Sequence, residues 1–229
     1  PRIGLISDYT GGTRLSDVLA RVESSGQSLS PGAAVFVIKE ILDGLADLHR
    51  ENGDLSHGAL APERIVLAEG RVRIADYVLG AAIEQLRFST ERYWKERRVV
   101  VPASAGSARL DRRVDVAQVV MIAIALFAGR PLRESEHIGG LGDVMASTAL
   151  ASPIRSWLLK ALHMDPRRVF VNAAEASQSF DEAMSEAGLR PAPRDLHLQN
   201  APAPKPAPTS SSKSAQPLRA APPTPVRIA

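Results

Sequence analysis

No cysteine occurs anywhere in the 229-residue chain, which excludes a disulfide scaffold, a thiol nucleophile and a Cys-based zinc site. The five histidines (His49, His57, His137, His163 and His197) include no pair at helical metal-ligand spacing, so structural or surface roles are expected for them. There is no G-x-S-x-G stretch and hence no nucleophile elbow. The patch Gly139-Gly140-Leu141-Gly142 lacks the preceding strand and the following Lys-Ser/Thr that a phosphate loop requires, and it reads as a loop. No signal peptide and no internal repeat is evident. The longest apolar run, Val114–Ala128, has Asp115 and Gln118 inside it and falls short of the roughly 20 residues of a membrane span. It reads instead as a helix buried at the centre of a globular domain, ended by Gly129 and Pro131.

Charge of one sign is also scarce once the chain is divided. The formal net charge is +3, yet ten of the 17 prolines and five basic side chains (Arg194, Lys205, Lys213, Arg219, Arg227) against Asp195 lie beyond residue 190. The positive balance belongs to that Pro/Ala-rich tail. The preceding residues are close to neutral, so charge gives no indication of a nucleic-acid-binding fold. The tail has too few apolar side chains to offset the entropy of ordering, and it is expected to be a disordered linker over 189–229. Residues 1–188 form the other unit, with chain enough to bury a sizeable core. Because the chain opens at Pro1 in a strand-like stretch (RIGLIS) and closes in a linker, it is expected to be a piece of a longer protein.

Punctuation residues mark the helices. Ser30-Pro31 opens a long one with apolar positions at Ala34, Val35, Ile38, Ile41, Leu42, Leu45 and Leu48. A short helix over Leu15–Ala20 follows the Gly11-Gly12 break. Ser152-Pro153 opens another through Leu162, and Asn172 with Glu175 starts a last one that Gly188 stops. Between them lies one hairpin, residues 64–67 and 72–75 around Gly70. Residues 87–98 (RFSTERYWKERR) mix basic, acidic and aromatic side chains and read as an irregular docking surface with aromatics tucked inward. A nucleic-acid platform is the weaker reading of this stretch.

The segment LSHGALAPERIVLAEGRVRIADYVLG (55–80) resembles the large lobe of eukaryotic-like protein kinases, which read H-R-D-L-K-P-E-N-I-L-L, a short hairpin, then I-A-D-F-G. His57, Leu60, Pro62-Glu63 and Ile65-Val66-Leu67 match the first motif, and Ile74-Ala75-Asp76 match the second. The flanks agree in order. Residues 5–20 look like the hinge and following helix, 38–53 like the helix before the catalytic loop, 112–132 like the buried central helix with Asp115 at its Asp, and 158–168 like the late L-x-x-D-P-x-x-R segment. The resemblance implies a mainly α, protein-kinase-like C-lobe, helical with a short β-hairpin, with its small lobe absent from this chain.

The departures bear on chemistry. Phosphoryl transfer needs a base-like Asp, metal-holding Asn and Asp, and Lys groups on the phosphates. Here Ala59 stands for the catalytic Asp, Ala61 for the following Lys and Arg64 for the metal-binding Asn. Asp76 is the one retained metal candidate, with Tyr77 and Val78 in place of its Phe-Gly neighbours, and VPASAG (101–106) stands near the place of the A-P-E motif. An ion pair between Arg64 and Asp76 is expected rather than bound Mg²⁺, so neither ATP nor Mg²⁺ is expected as cofactor. His57, Pro62, Asp76 and Asp115 are retained as structural motif. The resemblance thus implies a catalytically inactive pseudokinase with protein partners, no nucleic acid and no membrane span within this chain. It also implies a cytoplasmic location, or the cytoplasmic part of a larger membrane-tethered protein. Two rival readings are a weakly active atypical kinase and a nucleotide-binding, non-catalytic switch. Tyr93, Trp94 and Arg97 are the candidate partner surface, with Ser89 and Thr90 as hydroxyls open to modification. A lobe alone leaves the 3–6 strand and hairpin with an unpaired edge, so self-association of the isolated lobe is expected.

Overall fold

The computed structural model describes residues 11–51, 55–77, 79–101, 109–136, 140–162 and 170–200, the last four for backbone alone. The RIGLIS strand, most of VPASAG, the MDPRR stretch and the tail beyond Asn200 lie outside the described residues.

Eight helices and three strands are found among the described residues. They are β1 (Thr13–Arg14), α1 (Leu15–Ser25), α2 (Pro31–Glu51), β2 (Ile65–Ala68), β3 (Arg71–Ile74), α3 (Leu79–Glu84), α4 (Thr90–Arg97), α5 (Arg112–Ala128), α6 (Leu141–Ser147), α7 (Ser152–Leu162) and α8 (Ala173–Glu186). The hairpin β2–β3 forms as its sequence predicts. Glu69 and Gly70 both take positive φ (51° and 74°), the two-residue turn whose twist suits a tight hairpin. β1 adds antiparallel to β2, with Thr13 opposite Leu67, to give the order β1-β2-β3. Gly12 permits this approach, since a Cβ there would lie 2.6 Å from the Leu67 carbonyl oxygen. Among the described residues no strand pairs with the outer edge of β3, which carries the exposed side chains of Arg71 and Arg73, charges that oppose edge-to-edge pairing.

Helix α5 is the axis. Every residue from Val114 to Leu126 is buried, because apolar side chains surround the helix on all sides. It begins two residues earlier than its apolar run: Asp111 caps it by accepting from the Arg113 and Val114 amides (2.9 and 3.2 Å). Gly129 ends it in the left-handed region. α2 packs one face on both α5 and α8, and α7 packs on α8. Ser30 caps α2 by accepting from the Ala33 amide (3.1 Å). Asn172 caps α8 by accepting from the Glu175 amide, while the Glu175 carboxylate accepts from the Val171 amide one residue before the cap.

Four expectations change. α1 runs to Ser25 rather than Ala20, since its apolar stripe Leu15, Val18, Leu19 and Val22 continues to the left-handed Gly26. The stretch between hairpin and central helix is not irregular but holds α3 and α4. Gly142 lies inside α6 rather than in a loop. The folded unit also extends past Gly188. A 3-10 segment, Pro193–Asn200, packs on α2, with Leu196 buried and Asp195 accepting from the Ser30 hydroxyl (2.6 Å). Among the described residues no helix is long and apolar enough to cross a membrane.

Truncating the chain after Gly188 is expected to lower its unfolding free energy by about 2–3 kcal/mol, the burial of Leu196 plus the lost cap contacts. Denaturant unfolding checks this; an unchanged midpoint would show that the segment contributes nothing.

Candidate functional site

Residues 55–61 form neither helix nor strand, so their backbone polar groups must be satisfied from elsewhere. α5 satisfies them. Asp115, fully buried, accepts from the His57 amide (2.8 Å) and the Gly58 amide (2.6 Å). It also accepts from His49 Nε2 on α2 (2.9 Å). Gln118, one turn later on the same face, accepts from the Leu60 amide (2.7 Å). Its Nε2 donates to the Gly58 and Val100 carbonyls, both at 3.0 Å. Two side chains spaced three apart on one helix thus hold the loop through the amides of His57, Gly58 and Leu60 and the carbonyl of Gly58.

The histidine tautomers follow from their partners. His57 Nε2 lies 2.9 Å from the Ala75 carbonyl and must donate, while its Nδ1 accepts from the Ala59 amide. Burial pushes the His57 imidazole below its ordinary value, against the opposing pull of the Ala75 carbonyl and Asp115. His49 likewise donates from Nε2 to Asp115 and accepts on Nδ1 from the Ala173 amide. Both rings tie separate elements together, and no group of potential metal ligands gathers among the described residues.

At the chemical positions the loop is closed. Ala59 is fully buried in an apolar cluster with Ile83, Tyr93, Val99, Leu110 and Val114. Arg64 donates from Nη1 to the Ala59 carbonyl (2.9 Å). Burial lowers the Arg64 guanidinium from its ordinary value, with Glu63 and Asp76 opposing, while Arg97 and Arg14 act in the same direction as burial. The expected Arg64–Asp76 ion pair is corrected here. No salt bridge joins the two, because the desolvated guanidinium takes the near carbonyl, and Asp76 sits half-buried at a positive φ of 63° where its carbonyl accepts from the Leu79 amide. From there α3 seats on the loop. A Cβ at Gly80 would lie 2.1 Å from the His57 carbonyl oxygen, and Gly58 faces Gly80 at a φ of +69°.

Ala61 is buried and Pro62 starts a short 3-10 turn into β2. Residues 87–98 are revised from an irregular surface to a capped helix, since the Ser89 hydroxyl accepts from the Arg92 amide (3.3 Å). Tyr93 is fully buried and donates to the Ile83 carbonyl (3.0 Å), so it presents no surface to a partner. Trp94 is 8% exposed and donates to the Glu134 carbonyl, whereas Arg97 is exposed. Gln118, Gly58 and Gly80 are the residues sequence reading missed. A polar pair at Asp115 and Gln118 within an otherwise apolar helix was the available signal for the first of them.

No family model and no curated protein sequence matches the chain. Among solved structures, a single mutant of the Mycobacterium tuberculosis PknI kinase domain matches at 20% identity with a TM-score of 0.50, over 77% of this chain and 63% of that one. A double mutant of the same domain matches at 20% identity, TM-score 0.49 and the same coverage. The fold is protein-kinase-like. The kinase-like chain spans 63% of the length of those domains.

Replacing Asp115 with Ala in this kinase-like lobe strands two loop amides and His49, and is expected to cost about 3–5 kcal/mol or abolish the cooperative melt. Asp115→Asn, which keeps an acceptor, should cost less; equal and small losses for both would refute the tie. For His57 the folded value lies below the unfolded one. The stability bound up with its neutral ring is therefore fully present above about pH 6.5 and is lost as pH falls towards the folded value. A Tm series between about pH 7 and pH 5 should show a weaker slope in His57→Gln than in the parent; identical slopes would contradict this.

Proposed function

We propose that the chain is a catalytically inactive, kinase-like lobe that serves as a protein-interaction or regulatory module. The observation that carries this reading is the state of Ala59. The position that would carry the catalytic carboxylate is sealed among apolar side chains, with its carbonyl taken by Arg64. A carboxylate placed there would be desolvated and forced towards its neutral form. Ala61 offers no ammonium for a phosphate, and Arg64 puts a cation where a metal ligand would be needed. What the lobe keeps, in Asp115, His57 and Pro62, is the machinery that shapes the loop.

An interaction role follows from a loop kept in shape without its chemistry. The charged, solvent-facing side of α4, including Arg97, replaces the buried Tyr93 as the candidate contact face. Modification of Ser89 would add negative charge at the N-terminus of α4, where it is favoured.

The chain, and the longest natural protein that contains it, are expected to transfer no labelled phosphate from Mg-ATP and to show no nucleotide-dependent rise in Tm. Transfer that Asp76→Asn abolishes would overturn the proposal, and a Tm rise without transfer would favour a nucleotide-binding switch. Ala59→Asp should destabilise the fold by about 2–4 kcal/mol without creating activity; a neutral or activating substitution would contradict the sealed position.

A further inference from the structure

A cavity of about 160 Å³ lies beside the loop, bounded by the first turn of α1, the Leu60–Glu63 turn, the end of α4, α5 and the segment Pro131–Leu132. Its walls are mainly apolar, formed by Leu60, Trp94, Met121, Ile122 and Leu132. Most polar groups that reach it are already committed. The Gln118 amide is spent on three backbone groups, and Trp94 Nε1 donates to the Glu134 carbonyl.

Arg98 is the exception. Its Nη1 is buried and has no hydrogen-bond partner, and its guanidinium carbon lies 5.3 Å from the centre of the Trp94 ring. The residue also holds a φ of 55° at the C-cap of α4, a left-handed conformation that a non-glycine residue adopts at a cost. A buried, unmade donor and a strained backbone are two penalties at one residue. Glu63 lines the cavity but is exposed, and no salt bridge joins it to Arg98. Ser16 lines the same space.

We infer that this cavity binds a small monocarboxylic acid with an apolar body about the size of a benzene ring, its carboxylate pairing with Arg98 Nη1 and its body packing between Trp94 and α5. The size follows from the volume, since an apolar cavity of about 150 Å³ accommodates benzene. The charge follows from the donor, because a desolvated guanidinium pairs best with a carboxylate. Arg98 is then a binding residue kept at the expense of fold stability, and the site is independent of whether the lobe has catalytic activity.

Sodium benzoate is the probe, with benzamide as its neutral isostere. Saturation-transfer NMR on the chain should show protein contact for benzoate at millimolar concentration, with a concentration-dependent rise in Tm. Benzamide should bind at least ~10-fold more weakly. Arg98→Asn removes the cation while suiting the left-handed backbone, so it should abolish the benzoate response with a Tm equal to or above the parent's. Ala125→Leu fills the cavity from α5 without altering charge and should abolish it as well. Equal binding of benzamide, a response that survives either variant, or no contact with benzoate would overturn the assignment.

Discussion

A single buried carboxylate organises this protein. Asp115 sits at zero exposure inside the central helix, and its two carboxylate oxygens accept from three donors, the His57 and Gly58 amides of the 55–60 loop and His49 of α2. Burying a charge costs several kcal/mol unless it is fully hydrogen-bonded, and removing one partner is far worse than never having the pair. The loop has no ladder of its own, so its shape is dictated by where α5 places Asp115 and Gln118. His49 carries the same tie outward to α8 through the Ala173 amide. Loop, α2, α5 and α8 therefore fold as one unit or not at all.

We propose that this loop keeps its shape without the chemistry. The residues that fix its backbone are present and fully satisfied. At the positions that would face a substrate, Ala59 belongs to an apolar cluster and Arg64 reaches back to the main chain. The contact of Gly58 with Gly80 completes the closure, because only two residues without Cβ allow α3 to lie against the His57 carbonyl. We read the lobe as a preserved scaffold whose value lies in presenting surfaces, α4 among them.

Much of this was legible in the sequence. The caps at Ser30 and Asn172, the stops at Gly129 and Gly188 and the turn at Gly70 are local chemistry, and local chemistry can be read from the order of residues. Asp115 stood out as a polar intruder in an apolar helix, whereas the role of Gln118 beside it went unread. What could not be read depended on distant partners. Leu196 looks like part of a proline-rich linker until α2 supplies an apolar face for it. Arg64 and Asp76 look like an ion pair on charge alone, yet the nearer Ala59 carbonyl takes the guanidinium. Tyr93 looks like an aromatic for display, but the Ile83 carbonyl and a closed cluster claim both its hydroxyl and its ring.

We propose that the lobe keeps its architecture without a metal site at Asp76. Paramagnetic relaxation by Mn²⁺ measures this directly, through line broadening of amide signals in ¹⁵N-labelled protein. No selective broadening of Ala75, Asp76 or Tyr77 is expected beyond that of exposed carboxylates such as Asp17. Selective loss of those three signals at low Mn²⁺, reversed by excess Mg²⁺ and absent in Asp76→Asn, would contradict it.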